Sequence, residues 1–171
     1  MKMILKYGLL AGAAIFLYIL LELVLGLHGK YLHIGQYTGY FRYLFLAAGI
    51  YVGINDLRYE PVGTVLTYWS GVSKGLGISA ITAVCVCLSE WLYVDFINPQ
   101  FMQDYIAFSI AQLQAANASA ERIAKLFEQI ETWKPLQMQM LLYFTETMIL
   151  GFIFSLIVSA VVVFRKRQEK K

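Results

Sequence analysis

Four long apolar runs, at about residues 4–27, 37–54, 67–97 and 138–164, dominate this chain and leave it few folds to choose from. A lipid hydrocarbon layer about 30 Å thick is crossed by about 20 mostly apolar residues in an α-helix. No water is present there to satisfy a backbone group left outside a helix or closed barrel. The runs therefore read as transmembrane helices of an all-α integral membrane protein with four spans. Arg42 alone interrupts the second run, and the third is long enough to tilt or to lay its first two turns along the interface. Lys2 and Lys6 precede the first run as they would a secretory signal. The run is too long for a signal core and no small-residue cleavage pattern follows, so it reads as an uncleaved span.

Composition agrees. Of the 171 residues, 59% are hydrophobic and only 15% charged, against about 25% charged in a typical soluble domain. The length suits a single membrane domain over 1–171. The net charge is +3, and five of the 14 Lys and Arg residues fall in the tail at 165–171, RKRQEKK. That is a membrane flank and not a nucleic-acid footprint, so no nucleic-acid partner is expected. Orientation follows from the basic residues of the flanks and short loops. The side of the N-terminus collects Lys2, Lys6, Arg58, Lys74, Arg165, Lys166, Arg167, Lys170 and Lys171, which is nine. The opposite side collects Lys30, Arg42, Arg122, Lys125 and Lys134, which is five. Both termini are expected in the cytoplasm. Tyr31, Tyr37, Tyr40, Tyr43, Trp91 and Tyr93 would then ring the outer border, and Tyr7, Tyr59, Tyr68 and Trp69 the inner one.

Residues 98–137 form the one soluble-looking segment, read as an extracytoplasmic amphipathic helical hairpin between spans three and four. Asn98-Pro99 ends the third span, because proline disfavours helical geometry in the residue before it. A helix from roughly Gln100 to Ala116 follows, and Asn117 or Ser119 caps the next. There Ile123, Leu126, Phe127, Ile130 and Trp133 recur at helical spacing, with Glu121, Arg122, Lys125, Glu128 and Glu131 turned elsewhere. The hairpin folds over the bundle mouth, lies on lipid, or meets a partner; the first is the plainest reading. Asn117-Ala118-Ser119 also spells a glycosylation sequon, which a helix cap explains better.

Small residues four apart let helices approach closely in lipid. They occur in every span: Gly8 and Gly12, Gly49 and Gly53, Gly71 and Gly75, and Gly151, Ser155 and Ser159, mostly in the half nearer the termini. The ionisable residues Glu22, Arg42, Glu90 and Glu146 occupy the other half. At about 1.5 Å per residue they lie roughly 8 to 12 Å deep, in one layer. Intramembrane charges usually face the interior and pair with one another. Arg42 lies within about 20° of Gly49 and Gly53 on a helical wheel, and Glu22 within about 80° of Gly8 and Gly12, so a Glu22–Arg42 ion pair is expected. Glu146 lies about 140° to 180° from Gly151 and Ser155 and must face a cavity or a subunit contact instead. With several carboxylates sharing one arginine, a protonated Glu146 would donate a hydrogen bond and shed much of its burial cost.

Cys85 and Cys87 point about 200° apart on a helix and cannot bridge each other. The two histidines, His28 and His33, stand in another loop, so no zinc site is expected. The chain carries no HExxH, GxSxG or P-loop motif, and neither enzymatic activity nor a cofactor is expected. Two readings of function follow. One is an accessory, structural or interaction protein of the membrane, alone, as a homo-oligomer, or with a membrane-protein partner, its charges fixing helix register. The other is a solute- or ion-binding, transport-type protein with Glu22, Glu90 and Glu146 lining an outward acidic cavity. Four spans lack the doubled repeat of many transporters.

The segments LKYGLLAG, GYFRYLFLAAGIYVGI, VGTVLTYWSGVSKGLGI, NPQFMQDYIAF and TETMILGFIFSLIVSAVVVFRKR together resemble the bacterial four-helix membrane proteins grouped as domain of unknown function 4199. The turn after the second span departs from that pattern, reading NDLRYE. The resemblance implies a bacterial inner (cytoplasmic) membrane location and no particular activity.

Overall fold

A computed structural model describes residues 1–56, 67–133 and 135–168. Every regular element among them is helical: α1 Lys2–Val24, α2 Leu32–Thr38, α3 Arg42–Asp56, α4 Tyr68–Leu92, α5 Phe101–Ala115, α6 Ala120–Trp133 and α7 Leu136–Gln168. A wide π-type turn, Tyr93–Ile97, extends α4 up to Asn98-Pro99. Three stretches, Lys2–Val24, Tyr68–Ile97 and Leu136–Arg165, are long and apolar enough to cross a membrane. Arg58, Tyr59, Lys134, Lys170 and Lys171, with the side chains of Glu131, Trp133, Lys166 and Arg167, lie outside the described residues. So does most of NDLRYE.

The 37–54 run is not one continuous helix. Helix α2 stops at Thr38, a tight turn occupies Gly39–Phe41, and α3 begins at Arg42. With 15 residues, α3 is about 22 Å long at 1.5 Å per residue. Glycine at 39 favours the break, having the lowest helix propensity after proline. Polar partners hold it: the Tyr18 hydroxyl donates to the Thr38 carbonyl at 2.9 Å, and the Thr38 hydroxyl donates to Glu22 at 2.5 Å.

Helix α4 packs against α1, α3 and α7. Its seam with α7 is antiparallel and small on small: Gly71 meets Ser159, Gly75 meets Ser155, and Ser79 meets Gly151. On the other side Gly8 and Gly12 of α1 admit Ile81 and Cys85 of α4, while Gly49 sits on Ala11 and Gly53 on Ile78. Two of the seam hydroxyls are satisfied inside their own helices, Ser79 donating to Gly75 O at 2.8 Å and Ser155 to Gly151 O at 2.6 Å, whereas the buried Ser159 hydroxyl has no partner among the described residues. Ile15, Leu46, Ile50, Ile54, Ile78 and Val162 fill the space between the helices. Leu9, Leu17 and Leu21 of α1 and Ile149, Ile153 and Ile157 of α7 point outward and exposed, as lipid-facing side chains do. Cys85 packs on Gly12, the Cys87 thiol lies 3.4 Å from Met140 O, and both are free thiols.

The end of the bundle that holds the N-terminus is closed by polar contacts as well as by small residues. The Tyr7 hydroxyl donates to Asp56 at 2.6 Å, and Arg165 donates to the Tyr51 hydroxyl at 3.2 Å. Tyr7, expected at a membrane border, is buried. The opposite end carries α5 and α6, in neither of which a described side chain is buried. The turn joining them resolves the choice of cap. Asn117 takes a left-handed conformation, φ 51°, with Asn117 N–H bonding Gln114 O and Ala118 N–H bonding Leu113 O, which closes α5. Ser119 then opens α6, its hydroxyl accepting from Arg122 N–H at 3.4 Å.

Candidate functional site

The site begins where α1 ends. Gly26, at φ 72°, reverses the chain: Gly26 N–H bonds Leu23 O and Leu27 N–H bonds Glu22 O, both at 2.9 Å. This left-handed cap suits glycine, which has no Cβ to clash. It also turns the next residues back over the last turn of α1, so that His28 Nε2 lies 3.5 Å from Glu22 Oε2. The other nitrogen, Nδ1, shares a 2.5 Å hydrogen bond with the Tyr93 hydroxyl, which also accepts from Asn98 Nδ2 at 3.0 Å. Glu22, His28 and Tyr93 thus form a carboxylate–imidazole–phenol chain linking α1, the loop after it and the π-type turn. The rings of Tyr93 and Phe101 pack on His28.

A second polar group centres on Arg42, the first residue of α3. Its Nη1 donates to Glu90 Oε1 of α4 at 2.7 Å, and its Nη2 donates to the Tyr43 hydroxyl at 3.0 Å and lies 3.5 Å from Glu146 of α7. The guanidinium also rests over the rings of Tyr43 and Tyr143. The expected Glu22–Arg42 pair is therefore not formed. Glu22 takes Thr38 and His28 as nearer donors, because the Gly26 reversal and the break at 39–41 bring both beside it, and Arg42 turns to Glu90. Glu146 faces this cluster while Gly151, Ser155 and Ser159 face α4, as their angular separation on α7 requires.

Both groups open into one cavity of about 450 Å³. Glu22, Arg42, Glu90 and Glu146 all line it, as do His28, Tyr93 and Tyr143. Its roof comes from α5 and α6, whose apolar faces contribute Phe101, Tyr105, Ile106, Leu126 and Ile130. The two helices thus cover an open space above the bundle without sealing against it. Three carboxylates face one guanidinium and one imidazole, so ionised glutamates leave the wall negative. Among the described residues no three His, Cys, Asp or Glu side chains are grouped to hold a metal ion.

The sequence singles out neither Thr38 nor Tyr143, offers His28 only as a zinc ligand to be excluded and Asn98 only as a helix end, and assigns Tyr43 and Tyr93 to the outer border, whereas Tyr93 is only 1% exposed. The available signal was Gly26: a glycine closing an apolar helix one turn after a glutamate predicts a reversal that brings the following residues back to that glutamate.

Neither the curated proteins nor the solved structures yield a match. The family model described as Protein of unknown function (DUF4199) matches residues 6–163, and the chain belongs to that family.

Proposed function

We propose that this chain is a solute-binding membrane protein whose binding site is the cavity beneath α5 and α6. In this reading it crosses a bacterial inner membrane four times, the fourth crossing being α2, the turn at Gly39–Phe41 and α3 taken together. Both termini are cytoplasmic, and α5 and α6 lie outside. The basic-residue count supports that orientation. The role is binding or transfer of a solute and not catalysis. The observation that carries the proposal is the cavity: about 450 Å³ falls within the roughly 300–1,000 Å³ of small-molecule sites. Its lining is mostly apolar and aromatic with a few convergent polar groups, as such sites are.

A second reading is favoured by the pairing of the four ionisable residues in the layer near the cavity. Glu22, Arg42, Glu90 and Glu146 each have an ionic partner, which suits an accessory protein whose polar network sets helix register and whose outer surface meets another membrane protein or a second copy.

Aqueous access separates the two. Glu146→Cys is placed in a chain with Cys85→Ala and Cys87→Ala, and cells are treated from outside with a membrane-impermeant thiol reagent. Labelling at 146 supports a water-filled, outward-open site. No labelling, with Ser119→Cys still reacting, supports a dry network and the accessory role.

A further inference from the structure

We propose that the ligand of this cavity is an organic cation, an ammonium group carried on an apolar body; this rests on the reading that the cavity takes up a solute. The three carboxylates are not equivalent. Glu90 is held by Arg42 at 2.7 Å and its side chain is 7% exposed. Glu22 is held by Thr38 and His28 and is 4% exposed. Glu146 stands 3.5 Å from Arg42 with 36% of its side chain exposed, so one carboxylate keeps an open face on the cavity. Arg42 gives its terminal nitrogens to Glu90 and the Tyr43 hydroxyl and rests on two ring faces, and its one unpartnered donor, Nε, is buried out of reach of an anion in the cavity. An anionic ligand would also meet the excess of carboxylates, and a neutral one would bring no positive charge to the open face of Glu146.

The walls suit the same ligand. Phe101 and Tyr105 follow one another along the cavity, their ring centroids 6.2 Å apart, with the buried Tyr93 ring packed behind Phe101 at 5.6 Å. Aromatic faces attract an ammonium through their quadrupole and accept an alkyl or aryl body equally well. Ile106, Leu126 and Ile130 above them accommodate the apolar part. The same ammonium chemistry is offered by a free amine and by an ethanolamine lipid headgroup.

The test uses the full chain in phosphatidylcholine nanodiscs and isothermal titration with three probes of similar shape: phenethylamine, 2-phenylethanol and 3-phenylpropionate. The amine is expected to bind at least about tenfold more tightly than the other two, and Glu146→Gln to lose about that factor. Tyr105→Leu, which removes a ring and no charge, is expected to weaken the amine as well. Circular dichroism and a single monodisperse peak on gel filtration show that each variant is folded. Equal binding of the alcohol or the carboxylate, or a folded Glu146→Gln that binds the amine unchanged, overturns the proposal. If position 146 is labelled from water and the amine still shows no preference, the ligand class falls while the solute-binding reading stands. If position 146 is unlabelled and no probe binds, both fall. Adding phosphatidylethanolamine to the nanodiscs identifies the source: competition with phenethylamine points to the headgroup, and an unchanged titration to a free amine.

Discussion

His28 and Tyr93 are 65 residues apart, yet Nδ1 of the first and the hydroxyl of the second share a 2.5 Å hydrogen bond. That bond ties the reversal after α1 to the turn that ends α4, and both residues line the cavity beneath α5 and α6. Tyr93 is only 1% exposed, so its hydroxyl depends on His28 and Asn98 for partners.

Tyr93→Phe keeps the ring and removes the hydroxyl, leaving His28 Nδ1 and Asn98 Nδ2 each short of a partner. A cost of about 1–3 kcal/mol is expected, read as a shift in the sodium dodecyl sulfate fraction at half-unfolding. An unshifted midpoint would show that the bond contributes nothing to stability.

Arg42 and Glu90 form a buried pair, their side chains 17% and 7% exposed. Arg42→Met strands Glu90 and is expected to cost about 3–5 kcal/mol, whereas adding Glu90→Met to it should recover most of that loss. Additive costs in this double-mutant cycle would mean that the two residues are not energetically paired.

The α4–α7 seam leaves no room for a side chain at Gly75, where a Cβ would collide with the Cβ and Oγ of Ser155. Gly75→Ala is expected to destabilise by about 1–3 kcal/mol, and Ser155→Gly in the same chain to restore part of it. Gly39→Ala, where nothing lies within 4 Å of the added Cβ, should stay within about 0.5 kcal/mol of the parent. Equal effects at 75 and 39 would contradict the close approach of the two helices.

Gly26 is held at φ 72° while the nearest atom to an added Cβ is 3.6 Å away, so its constraint is conformational and not steric crowding. Gly26→Ala should cost about 1–2 kcal/mol from the left-handed backbone alone, and Gly26→Asn clearly less. The same detergent titration reads both, and an Asn variant as unstable as the Ala variant would refute the cap.

Much of the molecule was legible from local pattern. Apolar length gave the helices from 4, 67 and 138 to within a few residues, because a lipid-crossing helix is specified by its own composition. The small residues of all four runs could be picked out for packing, because their four-residue spacing marks one face of a helix. The site was legible in part. Glu22, Arg42, Glu90 and Glu146 could be grouped by depth, which needs only the rise per residue.

What the tertiary structure alone decided is who pairs with whom. Arg42 chooses Glu90, 48 positions away, and not Glu22; that choice depends on how α1, α3 and α4 are rotated about one another, and no periodicity within a helix encodes it. The break at Gly39–Phe41 and the burial of Tyr93 have the same origin. Each depends on hydrogen bonds from another element, Tyr18 and Glu22 in the first case and His28 in the second. Helix formation is settled within a few residues of chain, whereas a buried polar group is satisfied only by partners that packing brings to it.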